Sequence, residues 1–297
     1  MVLHEDKFEL LCHTNRKTKV NTLKELPFTN QFYEYSTTGG TIITPSEHVK
    51  DLGIRITTDL NWSPHINTIA EKARQLISWV LSVFKDRSEK TMMCLYNSLI
   101  RSRLEYCSPL WHPSKQEDTK TLESVQRRFT SKIAGLAELS YYDRLRKLRI
   151  TSLQRRRERY IIIMMWKIIN HISPNDINFE TTTSDRRGIK VKVPPLNMHA
   201  TQRSRSQYES SFAVMGAKLW NIIPKRISTI TNMATFKTAL SRYLALIPDE
   251  PPVDGFTRHN SLLEMNRLQL GGWTLAAAAT APAVAAVEDD DDPHRYY

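Results

Sequence analysis

The chain has 297 residues and a net charge of +11, and 40% of its residues are hydrophobic. That hydrophobic fraction supports a packed core and excludes a largely disordered protein. The three scattered cysteines form neither a disulfide framework nor a zinc ligand set, and no apolar run approaches the ~20 residues of a membrane span. Residues 250–297 carry eight acidic and three basic side chains, so residues 1–249 carry +16. Such a basic body favours a polyanionic partner, with an anionic membrane as the weaker option.

The first 62 residues favour a small β region. Alternating apolar residues predict a strand over 7–13, and two β-prone runs around Gly39–Gly40 predict a hairpin. Residues 49–56 alternate again and predict one more strand, in which Gly53 would allow a bulge or a close backbone approach. A plain structural sheet explains this pattern equally well.

From Ser63 the apolar spacing becomes helical. Ser63 is placed to cap a helix with Pro64 at its first position, and Ser88 is placed to cap a second helix that ends near residues 104–106. Two prolines within 107–113 then predict a turn.

Residues 114–172 combine a helical apolar stripe with many arginines. Between residues 144 and 160 there are eight Lys or Arg and one acid, Glu158. Cations this dense repel each other unless something anionic is nearby, and a nucleic-acid backbone is the commonest such group. The arginine run (Arg155, Arg156, Arg157 and Arg159) therefore predicts phosphate contacts. A solvated helix face and a nuclear-localisation patch are the alternatives.

The remaining third has a weaker pattern. Residues 181–184 favour a loop, 189–193 a short basic strand, and 209–221 and 236–244 two helices. Residues 249–297 are predicted to be a disordered low-complexity tail. Trp62, Trp111 and Trp220 are interpreted as anchors of helix junctions rather than as base-stacking residues.

Six segments in this order resemble the C-terminal part of jockey-like non-LTR retrotransposon reverse transcriptases, and together they span roughly residues 7–246. They are VKDLGIRITTDLNWSPHI, LYNSLIRSRLEYCSPLWHP, LESVQRRFTSKIAGL, YYDRLRKLRITSLQRRRERYIIIMMWKI, LWNIIPKRI and FKTALSRYL.

The resemblance implies a mainly α fold with a small β remnant of the polymerase palm at its N-terminus. Residues 1–62 would end the palm, 63–139 would form a helical thumb, and 140–248 a basic C-terminal helical region. Leu52 and Gly53 match the place of the primer grip. The thumb of such polymerases cradles the template–primer duplex, which implies RNA or a DNA–RNA duplex as the partner.

The sequence departs from the family at the catalytic motifs. Reverse transcriptases hold two divalent metal ions with an early Asp motif and an Asp-Asp pair, and neither motif is present. We therefore expect no catalytic residue, metal site or cofactor in this chain, and no polymerase activity from it alone. The acidic run 289–292 is interpreted as a solvated charge run.

The predicted function is sequence-independent binding of RNA or a template–primer duplex, because cations that contact phosphate position a nucleic acid without reading its bases. The alternative is a degenerate or host-adopted reading frame that acts as a protein-interaction module. An intracellular location, nuclear or cytoplasmic, is expected. The predicted nucleic-acid-binding residues are Lys72, Arg74, Arg101, Arg103, Arg127, Arg128, Lys132, Arg155, Arg156, Arg157 and Arg159.

Overall fold

The structure is a computed structural model, and it describes residues 9–11, 36, 40, 42–43, 45–173, 179–184, 186–196, 201–249 and 262–263. Most of the predicted hairpin around Gly39–Gly40 and nearly all of the predicted tail lie outside these residues. The chain divides into two compact units, Met1–Ile69 and Ala70–Tyr297. The expected thumb-like and C-terminal regions thus fall mainly within the second unit.

The first unit contains short paired strands. Strand β1 (Leu10–Leu11) runs parallel to β2 (Pro45–Ser46), and β3 (His48–Asp51) pairs antiparallel with β4 (Ile54–Thr57). The two residues between β3 and β4 both have positive φ, 45° at Leu52 and 88° at Gly53. This is the geometry of a two-residue type I′ turn. The prediction of one strand through residues 49–56 is therefore wrong, because Leu52 and Gly53 reverse the chain.

Helices then dominate the chain. The first half has α1 (Ser63–Val83), α2 (Glu89–Leu95), a π-helical segment (Tyr96–Arg101), α3 (Ser102–Glu105), α4 (Gln116–Thr130), α5 (Tyr141–Leu148) and α6 (Leu153–Ile169). Helix α1 begins at Ser63, one residue before the predicted first position at Pro64. The Ser88 hydroxyl donates to Asp86 at 2.8 Å instead of capping α2. Ser140 does cap α5, since its hydroxyl accepts from the Asp143 N–H.

The second half alternates a hairpin with helices. It has β5 (Thr181–Ser184), β6 (Gly188–Val191), α7 (Gln202–Ser210), α8 (Phe212–Asn221), α9 (Lys225–Ser228) and α10 (Met233–Ala245). Strands β5 and β6 pair antiparallel, so the loop predicted over residues 181–184 is wrong. The helix predicted over 209–221 is divided between α7 and α8, which meet at Ser211.

One apolar core joins α6, α8 and α10. Trp166 and Trp220 both stack on Phe236, with ring centroids 5.4 and 6.0 Å away. The Trp220 indole N–H donates to the Ile189 carbonyl at 2.9 Å and so holds β6 against α8. Trp111 is also fully buried, which agrees with the anchor interpretation of both residues. The mainly α fold class is confirmed.

Within the described ranges, every helix is too short or too polar to cross a lipid bilayer.

Candidate nucleic-acid interface

The arginine run lies at the start of α6, and most of it is inside the protein. Arg155 and Arg157 are each only 1% exposed, Arg159 is buried and Arg156 is half-buried. This differs from both expectations for the run, since it is neither a solvated face nor a surface presented to phosphate. The anionic groups that it requires are carboxylates of the same chain.

Arg155 closes the C-terminal end of α10. Its guanidinium donates to the carbonyls of Leu244, Ile247 and Pro248, at 3.4, 3.3 and 2.9 Å. Leu244 lies in the last turn of α10, and Ile247 and Pro248 follow the helix, so the buried arginine adds donors where carbonyls lack partners within the helix. Its Nε also lies 3.8 Å from an Asp249 carboxylate oxygen. The side chain is therefore committed to holding α10 against α6.

Arg156 is paired with Glu105 of α3. Its Nε donates to one carboxylate oxygen, and its Nη2 donates to the other at 3.2 Å. The Tyr160 hydroxyl also donates to Glu105, at 3.0 Å. The two hydrogen bonds from Arg156 to the two oxygens of Glu105 form the bidentate geometry in which arginine binds carboxylates most strongly. Arg156 is thus neutralised within the chain.

Arg157 has no hydrogen-bond partner for any of its three guanidinium nitrogens among the described residues. Burial lowers the pKa of Arg157, and the nearby charges of Glu123, Glu158 and Glu105 oppose that shift. Its role is electrostatic, because it offsets a group of inward-facing carboxylates that the sequence separates widely.

One of those carboxylates, Glu123, ends a buried hydrogen-bond chain. Tyr96 donates to the Gln126 side chain, which donates to the Tyr141 hydroxyl at 2.9 Å. Tyr141 in turn donates to Glu123 at 2.6 Å, and the Gln154 N–H donates to it at 2.8 Å. Burial raises the pKa of Glu123, while Arg157 and these hydrogen bonds oppose the rise. The network ties α4 to the π-helical segment, α5 and α6.

A second group of cations points outward at the end of α4. Arg127, Arg128 and Lys132 are all exposed, and no carboxylate among the described residues pairs with them. We call these three residues the α4 cationic end. The Arg127 guanidinium lies over the Tyr141 ring, 4.7 Å from its centroid, which holds that side chain in place.

Two further arginines support this surface. Arg144 of α5 is buried and donates to the Leu139 carbonyl at 2.9 Å and to the Thr130 hydroxyl at 3.2 Å. It therefore fixes the start of α5 beside the end of α4. Arg74 of α1 donates to the Ser124 hydroxyl at 3.3 Å, which brings one predicted cation alongside α4.

The other predicted residues are not brought to this surface. Lys72 and Arg103 are exposed, but no hydrogen bond or ion pair within the described part of the chain links them to α4. Arg101 lies near Glu105. Leu52 and Gly53 form the β3–β4 turn, where Leu52 is 83% exposed. The described residues contain no group of three or more side chains that could hold a metal ion.

No protein-family model matches the chain, and no curated protein or solved structure was found to be significantly similar to it.

Sequence reasoning missed three residues that organise this region, namely Arg144, Glu105 and Glu123. Each was visible only as one more charge on a helix. Glu123 follows Leu122 directly, but the residues three and four positions on are the polar Gln126 and Arg127, so no apolar spacing indicates that Glu123 points inward.

Proposed function

We propose that the chain is a reverse-transcriptase-derived fragment without the catalytic aspartates, and that it binds RNA or a template–primer duplex through the α4 cationic end. The observation that carries the proposal is the contrast in charge neutralisation. Arg155 and Arg156 are paired with carboxylates of the chain, whereas Arg127, Arg128 and Lys132 are exposed and unpaired among the described residues.

Cations in this position suit a phosphate backbone. Exposed Lys and Arg at the end of one helix present charge without a shape that reads base edges, so binding would not depend on sequence. Arg74 would add a weaker fourth contact, because its bond to Ser124 holds it beside α4 while its guanidinium also pairs with Glu71 at 3.6 Å. The buried arginines take no part in this binding.

The resemblance supplies the nature of the partner. In the family, the segment that matches residues 122–136 belongs to the thumb, which contacts the duplex. The α4 cationic end lies within that segment. This overlap, together with the charge of +16 over residues 1–249, favours nucleic acid over an acidic protein.

Binding measured against salt concentration tests the proposal. With a fluorescent single-stranded RNA, three to four phosphate contacts predict a log–log slope of roughly −2 to −3 for the affinity. RNAs of unrelated sequence should give the same slope and similar affinities. A flat slope, or no binding at low salt, would overturn the proposal and favour the protein-interaction alternative.

Primer extension tests the enzymatic part. The isolated chain, given a template–primer, divalent metal and nucleotides, should incorporate nothing, because the acidic motifs that hold the metals are missing from the sequence. Incorporation that depends on this chain would show that catalytic carboxylates had been missed.

A further inference from the structure

A cavity of about 430 Å³ lies between the π-helical segment with α3 and one face of α6. Its walls include Arg101, Glu105 and Tyr106 on one side, and Tyr160 and Lys167 on the other. The volume is within the range of small-molecule sites. None of these residues belongs to the α4 cationic end.

The helix that forms one wall is interrupted by an unusual turn. Residues Tyr96–Arg101 are π-helical, and the turn that follows α3 contains Cys107 with a positive φ of 50°. Both features cost energy in most sequences and recur at functional sites. Here they set Arg101 and the Cys107 turn at the cavity.

Arg101 is the residue that points to a ligand. Its side chain is only 12% exposed, yet its guanidinium makes no hydrogen bond to any described residue. Its Nε lies 3.8 Å from Glu105, which is too far for a hydrogen bond. Glu105 is already held by Arg156 and the Tyr160 hydroxyl. The donors of Arg101 are therefore available to an acceptor in the cavity.

Lys167 adds a second positive charge. It is half-buried in the last turn of α6, lines the same cavity, and has no carboxylate partner in the part of the chain that the structure describes. Arg101 and Arg156 both form ion pairs with Glu105, so Arg101, Arg156 and Lys167 together leave about two net positive charges around this one carboxylate. A phosphate monoester, with about −1.5 to −2 charges at neutral pH, matches them.

The remaining walls of the cavity are aromatic and apolar, and they could contact an aromatic ring of a ligand. Tyr106 is 52% exposed, and Ile163 and Met164 add apolar surface from α6. We infer that this cavity binds a phosphate monoester attached to an aromatic base, with the phosphate on Arg101 and Lys167. The source is either a free nucleotide or the phosphorylated end of a nucleic-acid strand. The inference does not depend on the proposed function, since it uses other residues.

The exposed thiol of Cys107 gives a direct readout, because it lies on the cavity wall. The full chain carrying Cys12→Ser and Cys94→Ser is alkylated with N-ethylmaleimide at constant ionic strength. Adenosine monophosphate should slow alkylation of Cys107 several-fold and saturably, whereas adenosine should not. Equal rates with the two compounds would overturn the inference.

Variants of Arg101 and Lys167 test whether these two cations are required for the protection of Cys107. Arg101→Gln and Lys167→Gln should each weaken protection by adenosine monophosphate about tenfold or more, as expected for one lost charge-assisted hydrogen bond. Lys167→Gln keeps the test valid if Arg101→Gln fails to fold. The matched control Arg242→Gln, on exposed surface of α10, should leave protection unchanged. Full protection in both cavity variants would contradict the inference.

A final pair of probes separates the two sources. A short oligonucleotide with a 5′ phosphate should protect Cys107 more than its unphosphorylated form if the site takes a strand end. Protection by the mononucleotide alone assigns the site to a free nucleotide. Protection by neither would overturn the inference.

Discussion

Arginines crowd both the start of α6 and the end of α4. At α6 Arg155, Arg157 and Arg159 are buried and Arg156 is half-buried. The carboxylates around the run are those of Glu105, Glu123, Glu158 and Asp249. At α4 they face solvent, and no described carboxylate pairs with them. Similar local sequences thus serve different purposes, because carboxylates elsewhere in the chain decide which cations are neutralised. Density of positive charge along a sequence is therefore a poor guide to a binding surface until its internal partners are known.

The largest expected effect is at Arg155. Arg155→Leu removes donors from two buried carbonyls and one part-buried carbonyl and leaves Asp249 without its cation, which should lower the free energy of unfolding by about 3 kcal/mol. Urea denaturation followed by circular dichroism measures the change. Arg128→Gln, at the α4 cationic end, should change stability by less than about 0.5 kcal/mol. Equal losses of stability in Arg155→Leu and Arg128→Gln would contradict the distinction between the arginines of α6 and those of α4.

A smaller loss is expected at Glu105. Glu105→Gln keeps the shape of the side chain but removes the charge that neutralises Arg156, so unfolding should become easier by about 2 kcal/mol. Thermal and urea unfolding should agree on the sign. The exposed pair Lys120 and Glu117 is the matched control, since Glu117→Gln breaks a surface ion pair of little value. If Glu105→Gln were as mild as Glu117→Gln, the internal neutralisation would not matter to the fold.

Substitution of Arg157 tests the electrostatic contribution of this side chain separately from hydrogen bonding. Arg157→Met loses no hydrogen bond to a described residue and keeps most of the volume, so its cost of about 1–2 kcal/mol reflects uncompensated carboxylates. Adding Glu123→Gln should restore most of that loss. If the effects of Arg157→Met and Glu123→Gln simply add in the double variant, the two residues are not coupled and the electrostatic role is contradicted.

The weakest effect is a change with pH. The pKa of Glu123 is raised in the folded protein, so its contribution to stability is present below its ordinary value of 4.5 and is lost as pH rises through the folded-state pKa. Glu123→Gln removes that loss, so the variant should gain stability relative to the parent between pH 4.5 and 8. Unfolding midpoints across this range measure it. Glu138→Gln, at an exposed position, is the control that removes one carboxylate from the surface.

Much of the helical fold could be predicted from the sequence, because apolar periodicity and caps are local signals. The start of α1 near Ser63 and the end of the next helical segment at Glu105 are examples. Turns were harder to predict from the sequence than helices. Leu52 accepts a positive φ that usually belongs to Asn or Gly, so the β3–β4 reversal resembled an uninterrupted strand. The strand over Thr181–Ser184 was signalled by β-branched threonines that were interpreted as a loop.

The candidate site could be predicted only in part. The α4 cationic end follows from the outward positions of one helix. The burial of Arg155 and Arg157 does not, because arginine is seldom fully buried and its partners are distant in sequence. Asp249 lies beyond α10, and Glu105 precedes the run by about fifty residues. The π-helical turn has no local signature that separates it from α-helix.

The most direct test of the central claim compares two double variants with equal loss of charge in RNA binding across salt concentrations. Arg128→Gln with Lys132→Gln removes two charges from the α4 cationic end, and Arg226→Gln with Arg242→Gln removes two from exposed positions of α9 and α10. The first pair should flatten the log–log salt slope by about 1.4 units, at roughly 0.7 per phosphate contact on single-stranded RNA. The second pair should leave the slope within error of the parent. Equal slopes for the two double variants would contradict the claim, because binding would then depend on net charge rather than on the end of α4.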